Sequence, residues 1–248
     1  MSRLSTVGAV AVHTYTATGA VLGFAMVAAA VDGHVRAALW LFLAAMVVDG
    51  TDGLLARRLR VKEVTPWFDG ALLDNIVDYL TYVFAPTVLL WEAGYLPTGW
   101  AGWVAAGLPL LASSYQFCRS DAKTDDHFFM GFPSYWNVLA FYIVVLGLGR
   151  STAAVLLVIF SILVFVPVKY VYPSRTETLW YANMASTAAW FVTYAIIVAQ
   201  MPDPHPVVLG LSLAYVAFYT VESLALTLRR HRGREGQSAE LSVPTIPT

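Results

Sequence analysis

The chain has 248 residues, of which 58% are hydrophobic and only 12% are charged. An ordinary soluble domain carries about 25% charged residues, so this composition excludes a soluble globular protein. The net charge of −1 comes without any basic block, which gives no indication of nucleic-acid binding. Cys118 is the single cysteine, so no disulfide bond can form within the chain.

The apolar residues occur in eight long runs rather than in stripes, which predicts an all-α, polytopic membrane protein. A transmembrane helix needs about 20 apolar residues. The fifth run is shorter, so we expect a partial or tilted span there. The predicted spans cover residues 8–30, 36–56, 70–91, 99–120, 134–149, 152–172, 179–200 and 206–228.

The basic residues predict the orientation of these spans. Thirteen of the 15 Lys and Arg residues fall on one side of the membrane, and only Arg36 and Arg150 fall on the other. Cytoplasmic loops carry the excess of Lys and Arg, so both termini and the 57–69 loop are expected in the cytoplasm. Residues 229–248 are polar and are expected to form a disordered cytoplasmic tail after a transmembrane domain of residues 1–228.

Four carboxylates interrupt two of the apolar runs. Asp49 and Asp52 lie in "VVDGTDGLLAR", residues 47–57, and Asp74 and Asp78 lie in "GALLDNIVDYL", residues 70–80. Each charged side chain in a span costs roughly 2.5–3.5 kcal/mol, so something must offset their burial. Spacings of three and four residues put each pair on one helical face. A connection of about a dozen residues favours antiparallel neighbours.

Four acidic side chains that converge on one point require cations between them. All-oxygen ligation suits Mg²⁺ or Mn²⁺ and not zinc, and a pair of such ions is typical of phosphoryl and phosphodiester chemistry. Nearby residues fit this chemistry. Gly53 and Gly70 let a bulky ligand approach the helix, Ala56 keeps the same face open, and Arg57 offers a planar fork for phosphate.

The combined pattern, Asp49-x-x-Asp52-Gly53-x-x-Ala56-Arg57 followed by Gly70-x-x-x-Asp74-x-x-x-Asp78, resembles the signature of the CDP-alcohol phosphotransferases, membrane enzymes of phospholipid synthesis. The gap between Arg57 and Gly70 is longer than usual and is similar to that of the bacterial phosphatidylcholine synthases. The stretches "HTYTATGAVLGF" (13–24), "DNIVDYLTYVFAP" (74–86) and "AKTDDHFFMGFPSYWN" (122–137) also resemble that branch.

The resemblance implies transfer of the phosphatidyl group from CDP-diacylglycerol to choline, with release of CMP, in a bacterial inner membrane. It implies a homodimer as well. Two divalent cations, Mg²⁺ or Mn²⁺, would be held by Asp49, Asp52, Asp74 and Asp78, and Asp78 would also be the general base. The implied CDP site comprises Thr16, Asp52, Gly53, Ala56, Arg57 and Gly70. His13 stands where many members of the family have Asn, so its role stays open.

Choline requires a site for a quaternary ammonium, which aromatic faces bind by cation–π attraction. Tyr82 lies one turn beyond Asp78 and is the first candidate, and it is followed by Tyr135, Trp136 and Tyr115. A phosphorylated acceptor would instead require a basic pair, which Arg119 and Lys169 could supply. Another acceptor such as serine or ethanolamine remains an alternative, as does a cation transporter. Asn137 and Glu222 are polar residues in apolar runs without an assigned role.

Overall fold

The computed structural model describes residues 3–241 and the side chains of residues 5–228. This part of the chain is helical apart from two three-residue strands and the connecting loops. The α-helices are α1 (Arg3–Val31), α2 (Val35–Arg58), α3 (Val61–Val64), α4 (Gly70–Asp78), α5 (Ala85–Glu92), α6 (Trp100–Cys118), α7 (Trp136–Val145), α8 (Arg150–Leu163), α9 (Trp180–Gln200) and α10 (Pro206–Leu241). The strands are β1 (Phe128–Met130) and β2 (Lys169–Val171), and a π-helical segment (Tyr79–Phe84) joins α4 to α5.

Helix α1 packs against α2, α4 and α5, and this group carries the acidic residues. Gly33, with φ at +74°, makes the turn from α1 to α2. Glycine also allows α1 to approach α4, because a Cβ at Gly19 would lie 2.4 Å from a methyl carbon of Val77. Small residues allow helices in a membrane to pack closely in this way.

The helical stretch that corresponds to the third predicted span, residues 70–91, changes from α-helical to π-helical hydrogen bonding directly after Asp78. Asp69 caps its start by accepting hydrogen bonds from the amides of Ala71 and Leu72. Within the π-helical segment, the amide of Ala85 donates to the carbonyl of Leu80, five residues back. Pro86 explains the change, because proline has no N–H to donate and its ring crowds the carbonyl four residues earlier.

The sixth predicted span is too long. The sequence predicts a helix over 152–172, but α8 ends at Leu163 and the chain then forms β2. Pro167 cannot continue a helix, and strand β2 pairs with β1 in antiparallel register, with Phe129 opposite Tyr170. Lys169 secures this hairpin through an ion pair of 2.7 Å with Asp126.

Four described helical segments are long and apolar enough to cross a membrane: Ser5–Val31, Val35–Arg58, Trp180–Gln200 and Pro206–Leu228. Helices α7 and α8 are apolar but short. The structure thus agrees with an all-α membrane protein, and the count of eight spans stays a prediction.

Helix α10 continues to Leu241, because the residues after 228 include good helix formers such as Arg, Glu and Gln. The sequence predicted a disordered tail from residue 229. Of that tail, residues 229–241 continue helix α10, and residues 242–248 lie outside the described part of the chain.

Candidate active site

The structure brings the four carboxylates of the signature to one cavity. Asp49 and Asp52 lie in the last turns of α2, and Asp74 and Asp78 lie in α4. All four line a small cavity between α1, α2 and α4, together with Thr16, Gly19, Ala45, Val48, Val77 and Thr81. Oxygen atoms of Asp49, Asp74 and Asp78 all lie within 4.8 Å of one another. The predicted convergence is therefore present, with Asp52 at the cavity wall and outside this closest trio.

Two hydroxyl groups orient the carboxylates of α2. Tyr82 donates a hydrogen bond of 2.6 Å to Asp49 Oδ2, and Thr16 donates one of 2.7 Å to Asp52 Oδ2. Asp52 is only 6% exposed and Tyr82 only 8% exposed. Both hydrogen bonds are short, and the one from Thr16 is buried while the one from Tyr82 is partly buried, so they hold each carboxylate in one orientation toward the cavity.

The donor set fits a divalent cation. Three carboxylates within 4.8 Å of one another repel each other strongly unless positive charge lies between them. Oxygen ligands alone suit hard cations, so these residues could hold a metal of that class.

One basic side chain faces this cluster from a neighbouring loop. The ammonium of Lys123 lies 3.7 Å from Asp74 Oδ2. Burial lowers the pKa of Lys123, but the carboxylate of Asp74, followed by Tyr172 and the carboxylates of Asp78 and Asp49, outweighs that effect and the pKa is raised. Lys123 is thus protonated at neutral pH. In the sequence Lys123 is only one of the thirteen charges predicted to be cytoplasmic, and its place in the "AKTDD" segment gives no stronger signal.

The remaining residues of the signature lie along the C-terminal end of α2 and at the N-terminal end of α4. A Cβ at Gly53 would lie 3.2 Å from an Arg57 guanidinium nitrogen, and one at Gly70 would lie 2.8 Å from the His13 ring. Glycine therefore gives room to these side chains. Arg57 is exposed and Ala56 is half-buried.

His13 belongs to a small cluster near the start of α4. Its Nε2 lies 3.0 Å from the hydroxyl of Thr65, and its ring lies 4.3 Å from that of Phe68. These contacts connect α1 to the loop that leads into α4, so they give His13 a structural role beside Gly70.

The structure separates the four aromatic candidates into two groups. Tyr135 lies beside Tyr82, with ring centroids 6.1 Å apart, so this pair adjoins Asp49. Trp136 is instead buried and donates to Ser113. Tyr115 is exposed, with the Arg119 guanidinium 5.3 Å above its ring.

Two aromatic residues that the sequence analysis did not single out extend the first group. The Phe129 ring lies 6.3 Å from that of Tyr135 and stacks at 4.5 Å on that of Tyr172. Tyr172 follows strand β2, whose position the sequence analysis had assigned to a span, so the error in the sixth span concealed it.

The two basic residues that could have received a phosphorylated acceptor are engaged elsewhere. Arg119 forms two hydrogen bonds of 2.6 Å with Asp121, and these bonds lower the pKa of the Asp121 carboxyl. Lys169 pairs with Asp126 at 2.7 Å. The structure therefore offers no evidence for a phosphate site built from Arg119 and Lys169.

Asn137 and Glu222 lie away from these contacts. Asn137 accepts a hydrogen bond from the amide of Val138. Glu222 accepts one of 3.1 Å from Asn183 of α9. Its second oxygen is buried without a hydrogen-bond partner among the described residues. A polar contact between α9 and α10 is consistent with helix association in a membrane.

Comparison with known proteins identifies the family of this chain. The model of the CDP-alcohol phosphatidyltransferase family matches residues 11–202, which include all four carboxylates. The chain is 44% identical over 189 residues to a phosphatidylcholine synthase of Legionella bozemanae, covering 73% of this chain and 87% of that protein. It is 40% identical to the phosphatidylcholine synthase of Legionella pneumophila, covering 84% of each chain. It is 36% identical to that of Pseudomonas aeruginosa, covering 88% of this chain and 92% of that protein. A family match over most of the length, which includes the four carboxylates of the cavity, shows that this chain belongs to the CDP-alcohol phosphatidyltransferase family.

Proposed function

We propose that this protein is a phosphatidylcholine synthase, which transfers the phosphatidyl group of CDP-diacylglycerol to choline and releases CMP. The observation that carries the proposal is the cluster of Asp49, Asp74 and Asp78 in apolar helices, in a family that acts on CDP-linked alcohols. The names of the relatives support choline as the acceptor.

The acidic cluster would hold two divalent cations, Mg²⁺ or Mn²⁺, with Asp49, Asp52, Asp74 and Asp78 as ligands. When bound, such cations neutralise negative charge on the attacked phosphorus and on the departing phosphate. The hydrogen bonds from Tyr82 and Thr16 keep two of these carboxylates in place. Orienting groups of this kind are a regular part of metal sites in proteins.

Asp78 is proposed as the general base. The choline oxygen attacks the phosphorus that carries the diacylglycerol, its proton passes to the carboxylate of Asp78, and the bond from that phosphorus to the CMP oxygen breaks. A hydroxyl is a poor nucleophile until its proton is removed, and a carboxylate within hydrogen-bond reach can accept that proton. The transfer is a direct displacement, without a covalent enzyme intermediate.

The CDP group is proposed to bind along the cytoplasmic ends of α2 and α4. Thr16, Asp52, Gly53, Ala56, Arg57 and Gly70 would form this site. The exposed guanidinium of Arg57 can reach a phosphate, and the exposed position suits a nucleotide that enters from water.

The aromatic residues beside Asp49 support choline rather than a phosphorylated acceptor. Tyr82 and Tyr135 offer ring faces next to the acidic cavity, and such faces attract a quaternary ammonium. The basic residues Arg119 and Lys169 already have acidic partners. Trp136 and Tyr115 remain further candidates for choline contacts.

The proposed function is tested by the release of CMP from CDP-diacylglycerol in membranes that contain the protein. We expect release that depends on choline and on Mg²⁺ or Mn²⁺, with phosphatidylcholine as the lipid product. Serine and ethanolamine, supplied at the same concentration, distinguish the alternative acceptors. Release that is equally fast with serine or ethanolamine would contradict the assignment of choline.

We further propose eight membrane passages in a bacterial inner membrane, with both termini in the cytoplasm. The support is the distribution of Lys and Arg. Single cysteines at Lys62 and Asp203, in a Cys118→Ala background, test the topology with an impermeant thiol reagent. In intact spheroplasts we expect labelling at position 203 and not at position 62, and the reverse would overturn the topology.

A further inference from the structure

The loop between α6 and α7 presents Lys123 to the acidic cavity in a defined position. The amide of Met130 donates to the carbonyl of Ala122 at 3.0 Å, and Lys123 pairs with Phe129 as an antiparallel bridge. The amide of Thr124 donates to the carbonyl of Phe128 at 2.9 Å. These backbone hydrogen bonds fix the start of the Lys123 side chain on a small hairpin.

The ammonium of Lys123 has a loose ion pair with Asp74. The separation of 3.7 Å exceeds the 2.7–2.9 Å of a charge-assisted hydrogen bond. The Lys123 side chain is 51% exposed, and that of Asp74 is 28% exposed. An ammonium has three donors, so Lys123 can bind a further anion while it stays beside Asp74.

Two other cations of this region have closer partners. Arg119 is held by two hydrogen bonds to Asp121, and Lys169 lies 2.7 Å from Asp126. Lys123 is therefore better placed than either residue to meet an anionic substrate at the carboxylates.

We infer that Lys123 is a further catalytic residue, which binds the diphosphate oxygens of the CDP-linked donor. This inference rests on the proposed function for the position of the donor. A diphosphate that reaches Asp74 and Asp78 brings its oxygens beside this ammonium. Negative charge grows on the CMP phosphate as its bond to phosphorus breaks, and a positive charge already in place stabilises that change.

Lys123→Met tests the inference because methionine keeps most of the side-chain length and removes the charge. We expect the dissociation constant for CDP-diacylglycerol, measured in detergent with Mn²⁺ present, to rise roughly tenfold or more. Mn²⁺ binding without the lipid should be unchanged or tighter, because Asp74 loses a competing cation. Lys123→Arg should recover part of the lipid affinity. Lys62→Met, which removes one charge from the 57–69 loop, is the matched control and should bind both ligands normally.

Three results would overturn the inference. The first is wild-type affinity of Lys123→Met for CDP-diacylglycerol, which would mean that Lys123 only neutralises Asp74. The second is equal loss of lipid and Mn²⁺ binding with a lower melting temperature, which would mean a structural role. The third is the same loss in Lys62→Met. Failure of the proposed function is distinguishable, because a protein that uses another acceptor would still show the Lys123 effect on lipid binding.

Discussion

The hydrogen bond from Tyr82 to Asp49 predicts that removal of one hydroxyl group will change the metal dependence of the reaction. In Tyr82→Phe the ring stays in place, but Asp49 loses a donor at 2.6 Å that is only 8% exposed. Loss of an orienting partner of a metal ligand costs about 10- to 100-fold in metal affinity. This corresponds to about 1.4–2.8 kcal/mol, in the range for hydrogen bonds to charged groups.

The assay is the rate of CMP release as a function of Mn²⁺ concentration. We expect the half-saturating Mn²⁺ concentration of Tyr82→Phe to rise by one to two orders of magnitude, with most of the turnover recovered at saturating metal. The choline KM should change little, because the ring face is kept. Tyr82→Ala removes both groups and should raise the choline KM as well.

Tyr79→Phe provides the matched control, because the Tyr79 hydroxyl donates to the carbonyl of Leu110 and contacts no carboxylate. Its metal dependence should equal that of the unaltered protein. An unchanged Mn²⁺ requirement in a stable Tyr82→Phe protein would refute the role given to the hydroxyl. An equal rise in Tyr79→Phe would trace the effect to general loosening of this helix.

Asp78→Asn should abolish choline-dependent CMP release while CDP-diacylglycerol still binds, because the amide cannot accept the proton; near-normal turnover would exclude Asp78 as the base. Thr16→Val should raise the KM for CDP-diacylglycerol about tenfold, because Asp52 loses a buried donor at 2.7 Å; an unaltered KM would argue against that contribution. Gly19→Ala should destabilise the protein by about 1–3 kcal/mol, because the new Cβ would lie 2.4 Å from a valine methyl carbon of α4. A lower melting temperature measures this, with Gly107→Ala, where a Cβ meets open space, as the control.

The acidic site could be predicted from the sequence because its signals are local. Asp49 and Asp52 share one helical face, as do Asp74 and Asp78, and the short connection between the two helices brings the faces together. A charge in an apolar span is costly enough to require a function. The four carboxylates do converge at one cavity.

Contacts that depend on distant parts of the chain could not be predicted in the same way. Lys123 reaches Asp74 only because its loop folds back as a hairpin, and Tyr172 joins Phe129 only through the pairing of β1 with β2. Three-residue strands leave almost no pattern inside a hydrophobic run, so the sixth span was predicted too long. Pro167 was the one local signal that α8 ends early.

The π-helical segment (Tyr79–Phe84) has a consequence for the tolerance of this helix to changes in chain length. A π turn accommodates one more residue than an α-helical turn while the flanking helices keep their faces. Deletion of one residue between 79 and 84 would remove the wider turn, and Pro86 would then leave a kink in an otherwise α-helical stretch, with α4 and α5 still packed against α1. Such a shortened chain should still insert and fold, whereas the same deletion elsewhere in a span would rotate every later residue by about 100°. What it would lose is the local geometry that brings the Tyr82 hydroxyl to Asp49.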